Sequence, residues 1–289
     1  MPGTPREPST LARLLDAAAC QLQQAAADAS ARRLAERLWC LASGVSREQL
    51  LLGTAPAPDS AQSARFRDLV ERAARGEPIA YLEGSAGFFD LEFEVGPGAL
   101  VPRDDSECLV ELALERIPPD SAAELVDLGT GSGCLLLTLL HHRRLARGTG
   151  IDRSAAALEV ARRNRDRLGL QGRCRLLRAD WLGGVAARSA DWIVANPPYV
   201  EPSEPTGFGV AEFEPGAALF TPPGDPLFAY REILARASGV LRNSGRLLFE
   251  VGAGRAAEVA QAASAAGFAL DELRRDLGGV ERALLLRPA

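Results

Sequence analysis

Two hydrophobic periods divide the chain. Over residues 9 to 75 apolar side chains recur at helical spacing, with Leu11, Leu14, Leu15, Ala18 and Leu22 forming one stripe and Leu34, Leu38 and Leu41 another. This pattern predicts a small helical bundle. Ser46 with Gln49 fits a capping box, Ser60 is placed to cap the helix carrying Phe66, Leu69 and Val70, and the Pro-rich stretch from Thr54 to Asp59 separates the two. After Gly76-Glu77-Pro78 the period shortens. Ile79 to Leu82, then Phe89, Leu91, Phe93 and Val95, alternate in twos and read as a hairpin.

From Ser121 onward strand and helix signals alternate. Leu125–Leu128, Thr149–Asp152, Arg173–Leu177 and Trp192–Ala195 read as strands, with helices from Cys134 and around Ala155–Leu168 between them. Further on come a helix near Leu227–Ala237, an apolar strand Gly245–Val251, a helix from about Arg255 and a closing pair near Phe268–Leu273 and Arg282–Leu286. Alternation of this kind predicts an α/β fold with a doubly wound parallel sheet. The implied division is a helical domain over 1–76, a β-hairpin linker over 77–104 and an α/β domain over 105–289. The Pro/Gly-rich stretch from Glu201 to Asp225 is too long for a mere connector, which suggests a lid or binding segment.

Composition narrows the class. The chain has 289 residues, 47% hydrophobic and 25% charged, which is an ordinary globular balance with enough length for a sizeable core. Its formal net charge of −5 lacks the global footprint of a nucleic-acid binder, so direct nucleic-acid binding is not expected. The five cysteines (Cys20, Cys40, Cys108, Cys134, Cys174) form no Cys-x-x-Cys pair and are expected to be reduced and buried, with no metal site. Met1-Pro2-Gly3-Thr4-Pro5 lacks the basic start and apolar core of a signal peptide, and no stretch reaches the roughly 18 apolar residues of a membrane span. A cytoplasmic protein without membrane contact is the expectation.

The candidate chemistry lies at strand tips. Asn196-Pro197-Pro198-Tyr199 directly follows the apolar run Trp192–Ala195, so an amide and an aromatic are presented where ligands bind in open α/β sheets. Two prolines hold that loop extended. Gly129-Thr130-Gly131-Ser132-Gly133 follows the first α/β strand and opens a helix, which lets backbone N–H groups approach an anion. Its spacing is not that of the dinucleotide Gly-x-Gly-x-x-Gly, and by itself it also admits, as the lesser reading, a tight turn with no ligand. Asp152 ends the second strand about 20 residues on, a position suited to ribose hydroxyls, although a plain turn aspartate is the simpler reading. Asp180-Trp181 follows the third strand and is placed to bracket an adenine; Trp181 alone reads as core. His141 and His142 are helical neighbours that do not face one another, and the Arg162, Arg163, Arg165, Arg167 run reads as a solvated face.

The order of these tips, a Gly loop, an acid, an acid with an aromatic, then Asn-Pro-Pro-Tyr, resembles the class I S-adenosylmethionine-dependent methyltransferases, and the tetrapeptide resembles those that methylate planar nitrogen. The Asn196 side-chain oxygen and the Pro197 carbonyl can each accept one N–H of an –NH₂ group, and Tyr199 can stack on its plane. An amide lone pair is delocalised, so acceptors that favour the charge developing in the transition state are worth more than a strong base.

Over nearly the whole length the chain is similar to the PrmC/HemK family. Gly76-Glu77-Pro78-Ile79-Ala80-Tyr81-Leu82 with Gly84, Leu100-Val101-Pro102-Arg103 with Glu107, Phe213-Glu214-Pro215 and Asp276-Leu277-Gly278-Gly279-Val280-Glu281-Arg282 carry the resemblance beside Asn196–Tyr199. It implies a Rossmann-like methyltransferase sheet, with an N-terminal helical bundle for substrate recognition and a linking hairpin. It implies transfer of methyl from S-adenosylmethionine to the glutamine of the Gly-Gly-Gln motif of peptide-chain release factors. Gly129–Gly133, Asp152, Asp180, Trp181 and Asn196 would then contact the cofactor, Asn196–Tyr199 would hold the glutamine amide, and the enzyme would act as a monomer. One departure is local: the family commonly has Pro-Arg-Pro-Glu-Thr-Glu, whereas here Arg103 is followed by Asp104-Asp105-Ser106-Glu107.

Rival readings share parts of this pattern. A glutamine methyltransferase acting on a ribosomal protein shares the hairpin and tetrapeptide, but the helical bundle and Glu107 favour the release factor. An adenine N6-methyltransferase would need a basic target-recognition segment. An inactive S-adenosylmethionine-binding module would have no need of Asn196 and Tyr199 at a strand tip.

Overall fold

The computed structural model describes residues 10–26 and 30–289; the Met1–Pro5 segment lies outside them. The chain forms two compact units. One runs to Glu83 and takes in Thr206–Phe213, and the other holds Gly84–Pro205 and Glu214–Ala289.

In the first unit the helical periodicity becomes α1 (Thr10–Ala26), α2 (Ala31–Ser43), α3 (Arg47–Leu51), α4 (Ser60–Ala74) and α5 (Ile79–Glu83). Leu15, Ala18 and Leu22 of α1 are buried with Leu38 and Trp39 of α2 and Phe66 and Val70 of α4. Trp39 and Phe66 meet edge to face at 5.5 Å. The α2 stripe is displaced from the sequence reading. Its buried face is Ala31, Ala35, Leu38, Trp39 and Ala42, while Leu41 remains 39% exposed, because alanines at i, i+4 and i+11 let Trp39 set the helix rotation. The Ser46–Gln49 capping box forms. The next helix is capped one residue earlier than expected, by Asp59 with Gln62, and Ser60 is its first residue.

A second correction concerns Ile79–Leu82. These residues form α5, not a strand; the hairpin is β1 (Ser85–Phe88) with β2 (Leu91–Glu94). Pro78 supplies a first-turn residue whose missing N–H costs a helix nothing, and its carbonyl accepts from Tyr81 and Leu82, which overrides the short apolar run. In the long loop Gly209, at φ 74°, crosses Gly76 so closely that a Cβ would lie 1.9 Å from the Gly76 oxygen, so the crossing admits only glycine.

The second unit continues with α6 (Glu107–Arg116), β3 (Glu124–Leu128), α7 (Cys134–His142), β4 (Arg147–Asp152), α8 (Ala155–Arg167), β5 (Cys174–Arg178), β6 (Ala190–Ala195), α9 (Val210–Phe213, assigned to the first unit), α10 (Gly216–Leu219), α11 (Phe228–Val240), β7 (Leu241–Glu250), α12 (Ala256–Ala265), β8 (Phe268–Arg275) and β9 (Glu281–Pro288). Helices α6, α9 and α10 are additions to the sequence reading. The sheet order is β5-β4-β3-β6-β7-β9-β8, parallel through β7 and antiparallel at β9 and β8. Trp192 and Val194 of β6 pack with α6 and α7 on one face, while Ile193 and Ala195 pack with α11 and α12 on the other. That two-residue alternation buries both faces, so the strand is apolar throughout. The strand order reverses between β3 and β6, which places their carboxyl ends on either side of the crevice where open α/β sheets bind ligands.

Of the cysteines, Cys108 and Cys174 are buried as expected, Cys40 and Cys134 are partly covered, and Cys20 is exposed on α1, on the side away from the bundle stripe. No helix among the described residues is long and apolar enough to cross a membrane.

Candidate active site

A cavity of about 470 Å³ opens at the carboxyl ends of β3, β4, β5 and β6, within the range of small-molecule sites. Gly129 to Ser132, Asp152, Asp180, Trp181, Asn196 and Pro198 line it, so the predicted tips of four strands converge on one space. Three predicted residues do not line it: Gly133, Pro197 and Tyr199.

The Gly loop is held by its neighbours. Gly129, Gly131 and Gly133 adopt φ of 69°, 56° and 84°, a region open to glycine at no steric cost. Thr130 N–H donates to Ile151 O at 2.9 Å, and Gly131 N–H donates to Asp152 Oδ2 at 3.1 Å. Gly133 sits beneath the loop at the start of α7, where a Cβ would lie 2.8 Å from Leu137 Cδ1. Its missing side chain therefore leaves room for Leu137 of the same helix. Asp152 Oδ1 accepts from Ser154 N–H at 2.8 Å. With one backbone donor on each oxygen, the carboxylate is fixed in orientation and retains lone pairs for ligand hydroxyls.

Below the loop, Asp127 is buried and accepts from Thr130 Oγ1 at 2.6 Å, while its Oδ1 has no partner. Burial pushes its carboxyl up to about 7, with the nearby Asp152 charge acting in the same direction and the Thr130 hydrogen bond against it. Trp181 holds φ 47°, an uncommon conformation for a bulky residue, and its partly buried ring packs against the α11 side of the core while lining the cavity. The ring thus packs on the core, as the core reading has it, and also borders the cavity.

At the tip of β6 the tetrapeptide is anchored from beneath. Asn196 Nδ2 donates to Ser106 Oγ at 3.2 Å, and Ser106 Oγ donates to Glu250 Oε2. Tyr199 OH donates to Glu250 Oε1 at 3.4 Å, and Tyr230 OH to the Glu250 carbonyl at 2.9 Å. The Tyr199 ring lies over Gly252, where a Cβ would come within 2.9 Å of Cδ2. Glu250 is 2% exposed, and burial pushes its carboxyl up to about 7, opposed by Ser106 and Arg282. Burial also raises the Tyr199 hydroxyl to about 12, so it remains a donor.

Two further side chains shape the wall. Glu214, whose side chain is fully covered, accepts from Val101 N–H at 3.0 Å and pairs with Arg103, tying the loop around α10 to the segment before α6. The later part of the 201–225 stretch returns to the tip of β6. Val200 N–H donates to Leu219 O at 3.1 Å, Thr221 N–H donates to Val200 O at 2.9 Å, and Pro215, Ala217 and Phe220 line the cavity. Asn164 of α8 is fully buried: Nδ2 donates to Ser132 O and to Glu94 O, each at 2.9 Å, and Oδ1 accepts from Glu94 N–H at 2.7 Å. It links the Gly loop to β2.

Sequence reasoning passed over Ser106, Asn164 and Glu250. Two of them carried a signal. Asn164 continues the buried helical stripe of Ala157, Val160 and Ala161, and Glu250 interrupts the apolar run Leu247–Val251; a polar residue at a core position is the informative exception. The Arg run of α8, by contrast, is spent on intramolecular pairs, with Arg162 on Glu159 and Asp166, Arg163 on Glu94 and Glu159, and Arg165 on Asp166. His142 Nε2 lies 2.9 Å from Asp90 Oδ1, with the His141 ring edge-on to the His142 ring.

Residues 106–219 match the model of the methyltransferase small domain, and residues 13–84 match that of the PrmC N-terminal domain. The release factor glutamine methyltransferase of Burkholderia pseudomallei is 41% identical over 83% of this chain and 86% of its own length. That of Nitratidesulfovibrio vulgaris is 37% identical over 96% of this chain and 95% of its own. Among solved structures the overlap is looser: a release-factor-specific protein-(glutamine-N5) methyltransferase from Alicyclobacillus acidocaldarius is 28% identical, covers 68% of this chain and 100% of that one, and has a TM-score of 0.40. On the sequence relatives, the chain belongs to the release factor glutamine methyltransferase family.

Proposed function

We propose that the protein transfers a methyl group from S-adenosylmethionine to the side-chain amide nitrogen (N5) of the glutamine in the Gly-Gly-Gln motif of peptide-chain release factors. One observation carries the reading in a chain of this family: a single cavity at the sheet's switch point joins the Gly loop and Asp152 to Asn196.

The residues present suit the cofactor. Gly129 to Gly133, in the βα turn, would hold its methionine end, Asp152 would accept from its ribose hydroxyls through lone pairs left free by Gly131 and Ser154, and Asp180 and Trp181 would hold its adenine. Asn196 closes the site toward the substrate. When bound, S-adenosylmethionine supplies a methyl group carried on a positively charged sulfur.

Catalysis by the chain's own residues is then positional and electrostatic. The Asn196 side-chain oxygen and the Pro197 carbonyl accept the two amide N–H groups, which aims the nitrogen's out-of-plane lobe at the methyl group. Gaining the methyl group, whose bonding pair would stay on sulfur, makes the nitrogen's N–H groups more acidic, so both acceptors hold it more strongly in the transition state than in the ground state, and one of those protons then passes to water. Pro198 fixes the loop, and Tyr199 bounds the acceptor plane. The helical unit recognises the release factor, with the division near 1–76, 77–104 and 105–289. The enzyme acts as a monomer in the cytoplasm and needs no direct nucleic-acid contact.

The test is transfer of labelled methyl to purified release factor, beside a variant factor with the Gly-Gly-Gln glutamine changed to alanine. Label on the normal factor alone is expected. Label on neither factor, but on ribosomal protein, would move the acceptor to the sister substrate.

A further inference from the structure

Asn196 and Tyr199, the two hydrogen-bonding side chains of the tetrapeptide, end on the same buried carboxylate. Residues Ala195 and Phe249 are partners in the β6–β7 ladder, so Asn196, just past β6, and Glu250, the last residue of β7, lie side by side. Ser106, from the short 3₁₀ turn Asp104–Ser106, stands between them.

From this geometry we infer that Glu250, through the Ser106 hydroxyl, is the positioning residue that selects which end of the Asn196 amide faces the substrate. The inference rests on the function proposed above. Once ionised, above about pH 7, Glu250 only accepts, so the Ser106 proton is then committed to Glu250 Oε2. The lone pairs of Ser106 Oγ are then presented to Asn196 and select its Nδ2 as the near atom at 3.2 Å. Oδ1 is left on the cavity side, as the acceptor that an –NH₂ substrate needs. Without the hydroxyl the amide has no reason to prefer one face, and the flipped form would present a donor to a donor. Tyr199 OH, on Glu250 Oε1, fixes the far end of the same loop. Glu250 touches neither substrate nor cofactor in this scheme.

Ser106→Ala removes the link with almost no change in volume. Its turnover with release factor should fall about 10- to 100-fold, the range expected when a group that must be aimed loses its aim. The S-adenosylmethionine dissociation constant and the KM for release factor should stay within about twofold, because ground-state binding does not depend on this one acceptor. In an Asn196→Ala background the same change should cost less than about twofold, since Ser106 acts through Asn196. Equal losses in both backgrounds, or a folded Ser106→Ala protein with wild-type turnover, overturn the inference while leaving the methyl transfer intact. Absence of transfer by the wild-type protein would instead sink the function. The positioning is then read on the ¹⁵N signal of the Asn196 side-chain amide, identified by its loss in Asn196→Asp. A shift of that signal in Ser106→Ala supports the link, and an unmoved signal overturns it.

Discussion

Asn164 offers the sharpest test of how the Gly loop is supported. Its side chain makes three hydrogen bonds, to Ser132 O, Glu94 O and Glu94 N–H, from a fully buried position on α8. Replacing it with alanine removes all three and strands the Ser132 carbonyl in a residue that is itself 2% exposed. At about 1 kcal/mol net for each bond, the loss is about 3 kcal/mol. For a unit of this size a loss of that order lowers Tm by roughly 6–12 °C. Asn164→Asp separates polarity from volume. The aspartate keeps an acceptor for Glu94 N–H but turns an oxygen toward two carbonyl oxygens, so its Tm should fall at least as far although no cavity is made. Both variants should also bind S-adenosylmethionine more weakly, because Ser132 belongs to the loop that meets the cofactor. Thermal unfolding followed by far-UV circular dichroism, with calorimetric titration of the cofactor, reads both effects. An Asn164→Asp protein within about 2 °C of wild type would refute the reasoning, since the stated repulsion would then be absent.

Three further outcomes follow from the site. Asn196→Ala should lower kcat by ~10²–10³, the range for removing one preorganised group that stabilises developing charge, with Tm unchanged; near-normal turnover in a methyl-transfer assay would remove Asn196 from the reaction. Asp152→Ala should raise the cofactor dissociation constant, both by losing the ribose acceptor and by freeing Gly131 N–H and Ser154 N–H, and an unchanged constant by titration calorimetry would contradict that role. Glu250→Gln should stabilise the protein at pH 8 but not near pH 4.5. Burial raises the Glu250 carboxyl from 4.5 to about 7, so its contribution is most favourable below the unfolded value and is lost as pH rises through 7. That difference amounts to at most about 3 kcal/mol between the two proteins. Asp127, also raised to about 7, is common to both and cancels. Denaturation midpoints that do not separate with rising pH would contradict a buried, titrating Glu250.

The local code was legible wherever one residue type could satisfy the geometry. Two-residue alternation and helical stripes located the strands of the seven-stranded sheet and the longer helices other than α6, since burial of one face or both forces the period. The glycines of 129–133 and the paired prolines of 197–198 marked loops because few other residues take those conformations. The order of motifs at successive strand ends sufficed to point to the cofactor and the acceptor. Where two local rules competed, reading failed: Ile79–Leu82 has a strand-like apolar run but follows Pro78, and the α2 face turned on alanines that carry little hydrophobic signal.

What only the tertiary structure decided is which distant residues meet. Asn164 and Ser132 are 32 positions apart, Asn196 and Ser106 are 90 apart, and Ser106 and Glu250 are 144 apart. No period or spacing encodes such pairs, because the strand order 5-4-3-6-7 is set by packing of both sheet faces, and it alone brings the end of β7 beside the end of β6. The same packing leaves Gly133, Pro197 and Tyr199 outside the cavity lining. The sequence therefore carried the chemistry, residue by residue. The fold supplied its aim, because buried polar groups must find partners and the nearest ones come from remote parts of the chain.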